Sequence, residues 1–303
     1  MNRVKKQIVC PDRQYLESKE TITVAVLDTG IAPHPDFGRR IIGFRDFINK
    51  KIHYYDDSGH GTHVCGILAG DGSLSKGKYM GIAPDVRLVV GKILDKNGEG
   101  SVENMLEGIE WILSVQAYYH IRILNISVGV GQLQEEADKQ RLVEAVEKAW
   151  NKGMVVVAAA GNAGPEPMSI SPIGASKKII TVGCHDGGYF GERESLCEKY
   201  SGRGPSEYAI KKPDIVAPGT DIISCCHRCR KFYYGYKDAY IKKSGTSMAT
   251  PMVAGAAALL LQIYPMLTNE MVKSRLIYTA TDLKEPWSKQ GWGMIHVNKL
   301  LKG

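Results

Sequence analysis

Four residues of this chain, each beside glycine or another small residue, could together hydrolyse an acyl bond. They are Asp28 in V-A-V-L-D-T-G-I, His60 in G-H-G-T-H-V-C-G, Asn162 in A-A-A-G-N-A-G and Ser247 in G-T-S-M-A-T-P. A serine becomes a nucleophile when a histidine accepts its proton, a carboxylate orients the histidine, and an amide donor stabilises the oxyanion. These four residues supply one of each type that this chemistry needs.

Each of these residues also has an ordinary structural interpretation. Ser247 begins a long apolar helix, where serine is a common N-cap, and Asp28 and Asn162 lie in sequences typical of turns. A metal interpretation of His60 and His63 is disfavoured, because zinc-binding histidines on a helix are usually four apart with a glutamate between them. The glycines on both sides of His60 favour it over His63 as the catalytic base, since they let another segment approach closely.

Strands and helices must alternate along the chain to position these residues. Continuous apolar runs predict strands that are buried on both faces, and 3.6-residue periodicity predicts helices between them. This alternation indicates an α/β fold, a three-layer α/β/α architecture with a mostly parallel central sheet, whose ligands bind at the carboxyl ends of the strands. The predicted strands are 22–27, 86–94, 122–126, 154–159, 179–183 and 214–217, and the predicted helices are 60–69, 102–118, 135–151, 247–263 and 269–279.

Composition limits the classes of protein and partner. The 303 residues are 44% hydrophobic, enough for one large α/β domain, and the net charge is +7. The segment 228–240 comes nearest to the basic and aromatic pattern of a nucleic-acid site, but we predict no nucleic-acid partner. No signal-peptide pattern is present and the longest apolar run, 252–261, is too short to cross a bilayer. We therefore expect no membrane association and a cytoplasmic location, with non-classical export left open.

The cysteines favour free thiols. Seven is an odd number and the spacings are irregular, which indicates a reducing compartment rather than a disulfide scaffold. Cys225, Cys226 and Cys229 form C-C-x-x-C, so a contribution to a zinc site remains the alternative.

The motifs resemble those of a known family. V-A-V-L-D-T-G-I, H-G-T-H-V-x-G and G-T-S-M-A-T-P, with A-A-A-G-N before the last, stand in the order found in the subtilisin-like serine proteases, and the similarity runs from about Thr21 to Leu300. The resemblance implies a subtilisin-like fold and a serine endopeptidase that cleaves proteins or peptides through an acyl-enzyme intermediate. It also implies that Asp28, His60 and Ser247 form the catalytic triad, and that Asn162 and the Ser247 backbone amide form the oxyanion hole.

The resemblance also predicts where substrate binds. Residues 127–129, with 158–161, match the walls of the pocket for the residue before the cleaved bond. These walls are small and apolar with no carboxylate, so we expect broad specificity with a preference for a large apolar residue at that position. The predicted substrate-binding residues are Gly98, Gly100, Ser101, Ser127, Val128, Gly129, Ala158, Ala159, Ala160 and Gly161.

The chain departs from secreted members of the family in ways that resemble its intracellular branch. Asp28 follows Met1 by only 27 residues, and the stretch 70–83 lacks an Asn-rich calcium loop. No cofactor is required for the chemistry, but a structural calcium ion is left open. Asp36 in H-P-D-F matches a carboxylate that serves calcium in relatives, with a structural turn as the alternative. We divide the chain into an N-terminal extension, 1–20, and a peptidase domain, 21–303; the extension is inhibitory, stabilising or a loose tail.

Two segments, 185–200 and 225–243, are longer than in the family core. In the second, Tyr233-Tyr234-Gly235-Tyr236 predicts a β-hairpin that either overhangs the cleft or is only a packing excursion. A competing hypothesis for function is a peptide-binding pseudoenzyme whose cleft is blocked by this segment or by the N-terminus. A dinucleotide-binding domain is excluded, because no G-x-G-x-x-G follows the first strand. The sequence does not determine the oligomeric state.

Overall fold

Seven parallel strands form the central sheet in a computed structural model of the chain. The structure describes residues 1–11, 20–128, 135–189, 196–204 and 211–302. The sheet order is β2-β3-β1-β4-β5-β6-β7, and every neighbouring pair is parallel. The strands are β1 Thr23–Asp28, β2 Ile41–Asp46, β3 Arg87–Lys92, β4 Ile121–Ile126, β5 Val155–Ala159, β6 Ile180–Cys184 and β7 Ile215–Ala217.

Helices cover both faces of this sheet and complete the three-layer α/β/α, subtilisin-like fold that the sequence predicts. Helices α2 and α5 pack against each other, as do α3 and α4, and each pair also contacts sheet strands. The helices are α1 Asn2–Gln7, α2 His60–Ala69, α3 Val102–Tyr119, α4 Glu136–Asn151, α5 Thr246–Ile263, α6 Asn269–Tyr278, α7 Trp287–Gln290 and α8 Val297–Lys302.

The central helix α5 is longer than the apolar run 252–261 that it contains. Its 18 residues have a mean hydropathy of 1.4, enough by length and composition to cross a membrane, but 89% of the helix is buried inside the domain. Burial on all sides explains the apolar composition, since a core helix needs no polar face.

All six predicted strands and five predicted helices are present, with ends shifted by at most a few residues. The sequence analysis missed β2, because its I-I-G-F-R-D sequence has neither strict alternation nor a continuous apolar run. The predicted hairpin is confirmed: β9 Arg230–Phe232 pairs with β10 Gly235–Lys237. It rises from a second antiparallel pair, β8 Ile222–Cys225 with β11 Tyr240–Lys243.

The described part of the N-terminal extension packs onto the domain. Met1, Val4 and Ile8 are at most 6% exposed and belong to the main hydrophobic core. The backbone amide of Val297 donates to the Ile8 carbonyl at 2.8 Å. Residues 1–10 are therefore not a loose tail, whereas residues 12–19 lie outside the described part of the chain.

The expectation that the cysteines are free thiols is wrong for two of them. Cys184 at the end of β6 and Cys197 form a disulfide, with Cα atoms 5.3 Å apart. This pair is not recognisable from the cysteine spacing, because a separation of 13 residues is unremarkable and only the fold brings the two residues together. Cys65, Cys225, Cys226 and Cys229 are free thiols.

Candidate active site

The sheet order places Asp28 at the centre of the candidate site. Strand β1, which ends at Asp28, lies between β3 and β4, so loops from three strands meet at this point of the carboxyl edge. The Asp28 side chain is fully buried, and its Oδ1 accepts hydrogen bonds from the Thr29 amide and from His60 Nδ1, both at 2.7 Å. Its Oδ2 is buried without a hydrogen-bond partner among the described residues. A protonated His60 would therefore be the charge that compensates this carboxylate.

A glycine allows this contact. His60 is the first residue of α2, and Gly61 follows it against the turn after β1. A Cβ on Gly61 would overlap the Gly30 carbonyl oxygen and lie 3.1 Å from Asp28 Oδ1. The close approach of the two backbones, which the flanking glycines predict, thus brings the imidazole of His60 to the carboxylate.

Asp56, which the sequence analysis did not single out, fixes the loop before His60. Its Oδ1 accepts from the Gly59 amide and the Thr29 hydroxyl at 2.7 and 2.9 Å, and its Oδ2 accepts from the Thr62 amide at 2.8 Å. These hydrogen bonds join the turn after β1 to the first turn of α2. Asp56 therefore holds the backbone segments that carry Asp28 and His60.

His60 and His63 have different environments and opposite pKa shifts. Burial by itself lowers the pKa of His60, but the charge and the hydrogen bond of Asp28 outweigh it, so the pKa is raised. Burial lowers the pKa of His63 to about 3, and its Nε2 donates to the Ile222 and Ile241 carbonyls at 3.0 and 3.1 Å. His63 is therefore a neutral structural residue, whereas His60, with a side chain 24% exposed, can exchange protons with a ligand.

Ser247 lies in the first turn of α5. The helix begins at Thr246 with Gly245 at the cap position, so the N-cap interpretation of Ser247 is wrong. Residues at the start of a helix have unpaired backbone amides and a positive dipole end, which favour a developing anion. Ser247 is partly exposed, whereas Thr246 and Met248 on either side are buried.

The amide side chain of Asn162 is oriented toward the start of α5. Its Oδ1 accepts from the Thr246 amide and hydroxyl at 3.1 and 3.0 Å. This fixes the oxygen, so the NH₂ group must point the other way. A Cβ on Gly245 would lie 3.7 Å from both Asn162 Nδ2 and the Ser247 nitrogen. The two predicted oxyanion donors thus border the same small space.

The predicted substrate-binding segments gather along the same edge of the sheet. Residues 98–101 follow β3 and lead into α3, for which Ser101 is the N-cap. Ser127 and Val128 follow β4, and 158–161 ends β5 and continues beyond it. Ala158, Ala159 and Ala160 are at most 4% exposed, so these residues contribute little of the surface at this edge. Gly129 lies outside the described residues.

The sequence analysis also missed Lys92, the last residue of β3 and the register partner of Asp28. Its ammonium group is fully buried and donates to the Thr29 and Leu94 carbonyls at 2.8 and 2.7 Å and to Asp57 Oδ1 at 2.7 Å. It therefore joins the turn after Asp28, the loop before His60 and the loop that leads to residues 98–101. A lysine at the end of an otherwise apolar strand was the available signal, because a buried charge needs such partners.

The weak metal candidate Asp36 lies in a buried polar cluster away from this site. The donor atoms of His34, Asp36 and Cys225 are within 4.8 Å of one another. Asp36 Oδ1 accepts from Ser73 and from the Leu74 amide, both at 3.1 Å, and its Oδ2 accepts from Tyr240 at 2.8 Å. Both carboxylate oxygens are therefore engaged by protein donors.

The rest of the cluster also fits a metal ion poorly. His34 Nδ1 accepts from the Asp36 amide at 3.1 Å and its Nε2 donates to the Ala239 carbonyl at 2.8 Å, so neither nitrogen is free. Calcium prefers six or more oxygen ligands, and zinc needs deprotonated sulfur or a free imidazole nitrogen. Burial raises the pKa of the Cys225 thiol, which opposes its deprotonation. Cys226 and Cys229 do not join this or another metal-type cluster among the described residues.

Comparison with known proteins identifies close relatives. The sequence profile of the family described as "Subtilase family" matches residues 19–293. The chain is 43% identical over 273 residues to serine protease AprX of Bacillus subtilis, covering 86% of this chain and 61% of the relative. It is 37% identical over 277 residues to a thermostable alkaline protease of Halalkalibacterium halodurans, covering 91% of this chain and 66% of that protein. It is 34% identical over 280 residues to subtilisin DY of Bacillus licheniformis, covering 91% and 89%. The chain therefore spans about two thirds or less of the length of the first two relatives.

Proposed function

The chain belongs to the subtilase family, and from that premise we propose that it is a serine endopeptidase that cleaves protein or peptide substrates. The observation that carries the proposal is the 2.7 Å hydrogen bond between buried Asp28 and partly exposed His60, together with the placement of Ser247 in the first turn of α5. A carboxylate that orients an imidazole, and an imidazole that accepts the proton of a hydroxyl, form the catalytic triad of an activated serine. The names of the relatives, serine protease AprX and subtilisin DY, support the same class of activity.

In the proposed mechanism, Ser247 Oγ attacks the carbonyl carbon of the substrate and its proton passes to His60. Asp28 holds His60 Nδ1 by its hydrogen bond, which leaves Nε2 as the nitrogen that accepts the proton. The imidazolium is stabilised by the carboxylate and donates the proton to the leaving amine as the carbon–nitrogen bond breaks. Water then attacks the acyl-enzyme with His60 again as the base, which releases the acid and restores Ser247.

We assign the oxyanion hole to Asn162 and the Ser247 backbone amide. The Thr246 hydrogen bonds to Asn162 Oδ1 support this role, because they orient the Nδ2 donor before substrate binds. Donors fixed in this way need no reorganisation as charge develops on the carbonyl oxygen.

For specificity, we propose a broad preference with a large apolar side chain favoured before the cleaved bond. The substrate backbone would pair with residues 98–101 and 127–129, and residues 158–161 would form the pocket wall. No charged side chain occurs in 127–129 or 158–161, which supports an apolar rather than a basic preference. The chemistry would need no cofactor, and the engaged oxygens of Asp36 support a structural rather than a calcium-binding role.

The test combines hydrolysis and active-site labelling. The purified chain should hydrolyse casein and should be labelled at Ser247 by a serine-directed phosphonate, with the site identified by mass spectrometry of a digest. Ser247→Ala should remove both signals while its circular dichroism remains that of the parent. Labelling of another serine, or hydrolysis that survives in Ser247→Ala, would contradict the assignment. Labelling without hydrolysis would instead support a peptide-binding pseudoenzyme.

A further inference from the structure

The hairpin segment 226–243, here called the basic arm, has an unusual concentration of positive charge. It contains six lysines and arginines and one aspartate, a net charge of +5 in a chain whose total is +7. The six are Arg228, Arg230, Lys231, Lys237, Lys242 and Lys243, and all but the partly buried Lys243 are exposed. One local ion pair, Lys242 with Asp221 at 3.1 Å, offsets part of this charge. Arg228, Arg230, Lys231 and Lys237 have no carboxylate partner among the described residues.

The arm is anchored beside the catalytic histidine. At its base, β8 and β11 supply the two carbonyls that hold His63 on α2. At its first turn, His227 packs so closely on Gly59 that a Cβ there would overlap the imidazole ring. Gly59 directly precedes His60. Both its φ of +87° and the close contact with His227 favour glycine at this position. The arm therefore rises from the wall of the cleft on the His60 side.

A buried contact also fixes the orientation of the arm. Tyr240 at the start of β11 donates to the fully buried carboxylate of Asp36 at 2.8 Å, and the neighbouring Ala239 carbonyl accepts from His34. The protein-only cluster around Asp36 thus ties the returning strand of the arm to the domain. The charges beyond it are held on a fixed base rather than on a free loop.

The tip of the arm is aromatic. Tyr233 and Tyr234 are 93% and 96% exposed, and their rings contact each other at 4.9 Å in a T-shaped arrangement. Lys237 lies 4.9 Å from the centre of the Phe232 ring on the paired strand. Unpaired cations next to exposed aromatic rings, beside a cleft for extended peptides, form a surface complementary to an acidic polypeptide.

We propose that the basic arm recruits acidic segments of the protein substrate and so makes the enzyme selective for bonds flanked by acidic residues. This proposal rests on the proposed endopeptidase function. Arg230 and Lys231 are three and four residues beyond His227, which corresponds to a reach of about 10–13 Å. An extended substrate covers the same distance in about three or four residues. The acidic residues should therefore lie about three or four residues from the cleaved bond.

The test uses paired peptides that share one cleavable core. One peptide has three glutamates placed three to five residues from the bond, and the other has three glutamines at the same positions. One pair carries these residues before the bond, and a second pair carries them after it. At low ionic strength kcat/KM for the glutamate peptide of one pair should exceed that for the glutamine peptide about three- to tenfold, as expected for three exposed charge pairs. The preference should disappear in about 1 M salt, where the Debye length is about 3 Å.

The arm variant, Arg230→Gln with Lys231→Gln and Lys237→Gln, should lose the preference and keep the parent kcat/KM for the glutamine peptide. Its matched control, Arg87→Gln with Lys152→Gln and Lys177→Gln, removes the same charges at the opposite edge of the sheet and should keep the preference.

Equal cleavage of both peptides in every pair by the parent, or a preference that survives in the arm variant, would overturn the proposal. An arm variant that loses binding to a single-stranded oligonucleotide but keeps its peptide preference would also overturn it, in favour of a nucleic-acid site. Hydrolysis of the glutamine peptide by the parent tests the endopeptidase function separately, because that peptide needs no contact with the arm charges.

Discussion

Replacing Lys92 by methionine should destabilise the fold and the catalytic edge together. The change keeps a long apolar stem but removes an ammonium group that is fully buried and makes three hydrogen bonds of 2.7–2.8 Å. The carbonyls of Thr29 and Leu94 then lose a charged donor, and each buried acceptor left without a partner costs about 1–3 kcal/mol. The Asp57 side chain is 36% exposed, so water can solvate its carboxylate and the lost ion pair itself adds little.

The two unpaired carbonyls therefore determine the loss in the free energy of unfolding. We expect a loss of about 2–4 kcal/mol after the structure around them has partly relaxed. For a domain of this size such a loss lowers Tm by roughly 3–6 °C. Urea and thermal unfolding should be measured in a Ser247→Ala background, which prevents self-digestion, with the exposed Lys177→Met as control. In the active background kcat/KM should fall about tenfold to a hundredfold, because small displacements of catalytic groups are costly. A free energy of unfolding for Lys92→Met within about 0.5 kcal/mol of its parent would show that the two carbonyls do not depend on the Lys92 ammonium group.

Further predictions concern catalysis, calcium dependence and the contribution of residues 1–10 to stability. Asn162→Ala should lower kcat about a hundredfold to a thousandfold with KM little changed; an unchanged kcat would remove Asn162 from the oxyanion hole. Catalysis needs neutral His60, so kcat/KM should rise with pH through a midpoint above 6.5 because the pKa of His60 is raised. In Asp28→Asn kcat should fall about ten-thousandfold and that midpoint should move to lower pH, since burial alone lowers the pKa of His60; an unmoved midpoint would contradict this cause. A calcium chelator should leave Tm unchanged, because both Asp36 oxygens are engaged; a fall of several degrees would reveal a bound ion. Deleting residues 1–10 should lower the free energy of unfolding by several kcal/mol, at about 1.5–3 kcal/mol per buried apolar side chain; unchanged urea unfolding would show that these contacts contribute nothing.

The sequence predicted the parallel sheet and its principal helices because their patterns are local. Buried strands such as β5 are continuous apolar runs, and α5 is apolar throughout, so periodicity identified both. Strand β2 has no such pattern, and α1 is too short to show a period. The four candidate residues were equally visible, because each lies near glycine at a strand end or a helix start, where turns and close approaches need glycine.

Some predictions remain untested by the fold. The roles of the triad residues and of Asn162, the domain division at residue 20 and the cytoplasmic location all stay predictions. The zinc interpretation of Cys225, Cys226 and Cys229 finds no support among the described residues, because these sulfurs do not converge on one point.

By itself, the sequence determined which residue types are available for the proposed chemistry, because residue type and local spacing predict a nucleophile, a base, an orienting acid and an oxyanion donor. Only the tertiary structure decided how these groups are held. Lys92 is 64 residues from Asp28 in the chain, yet it is paired in register with it and donates to the next carbonyl. The disulfide between Cys184 and Cys197, the Asp36 cluster and the position of the basic arm beside His60 likewise depend on contacts between distant segments. Local patterns do not encode such contacts, because they arise from the order and register of the strands, which become defined only when the sheet packs.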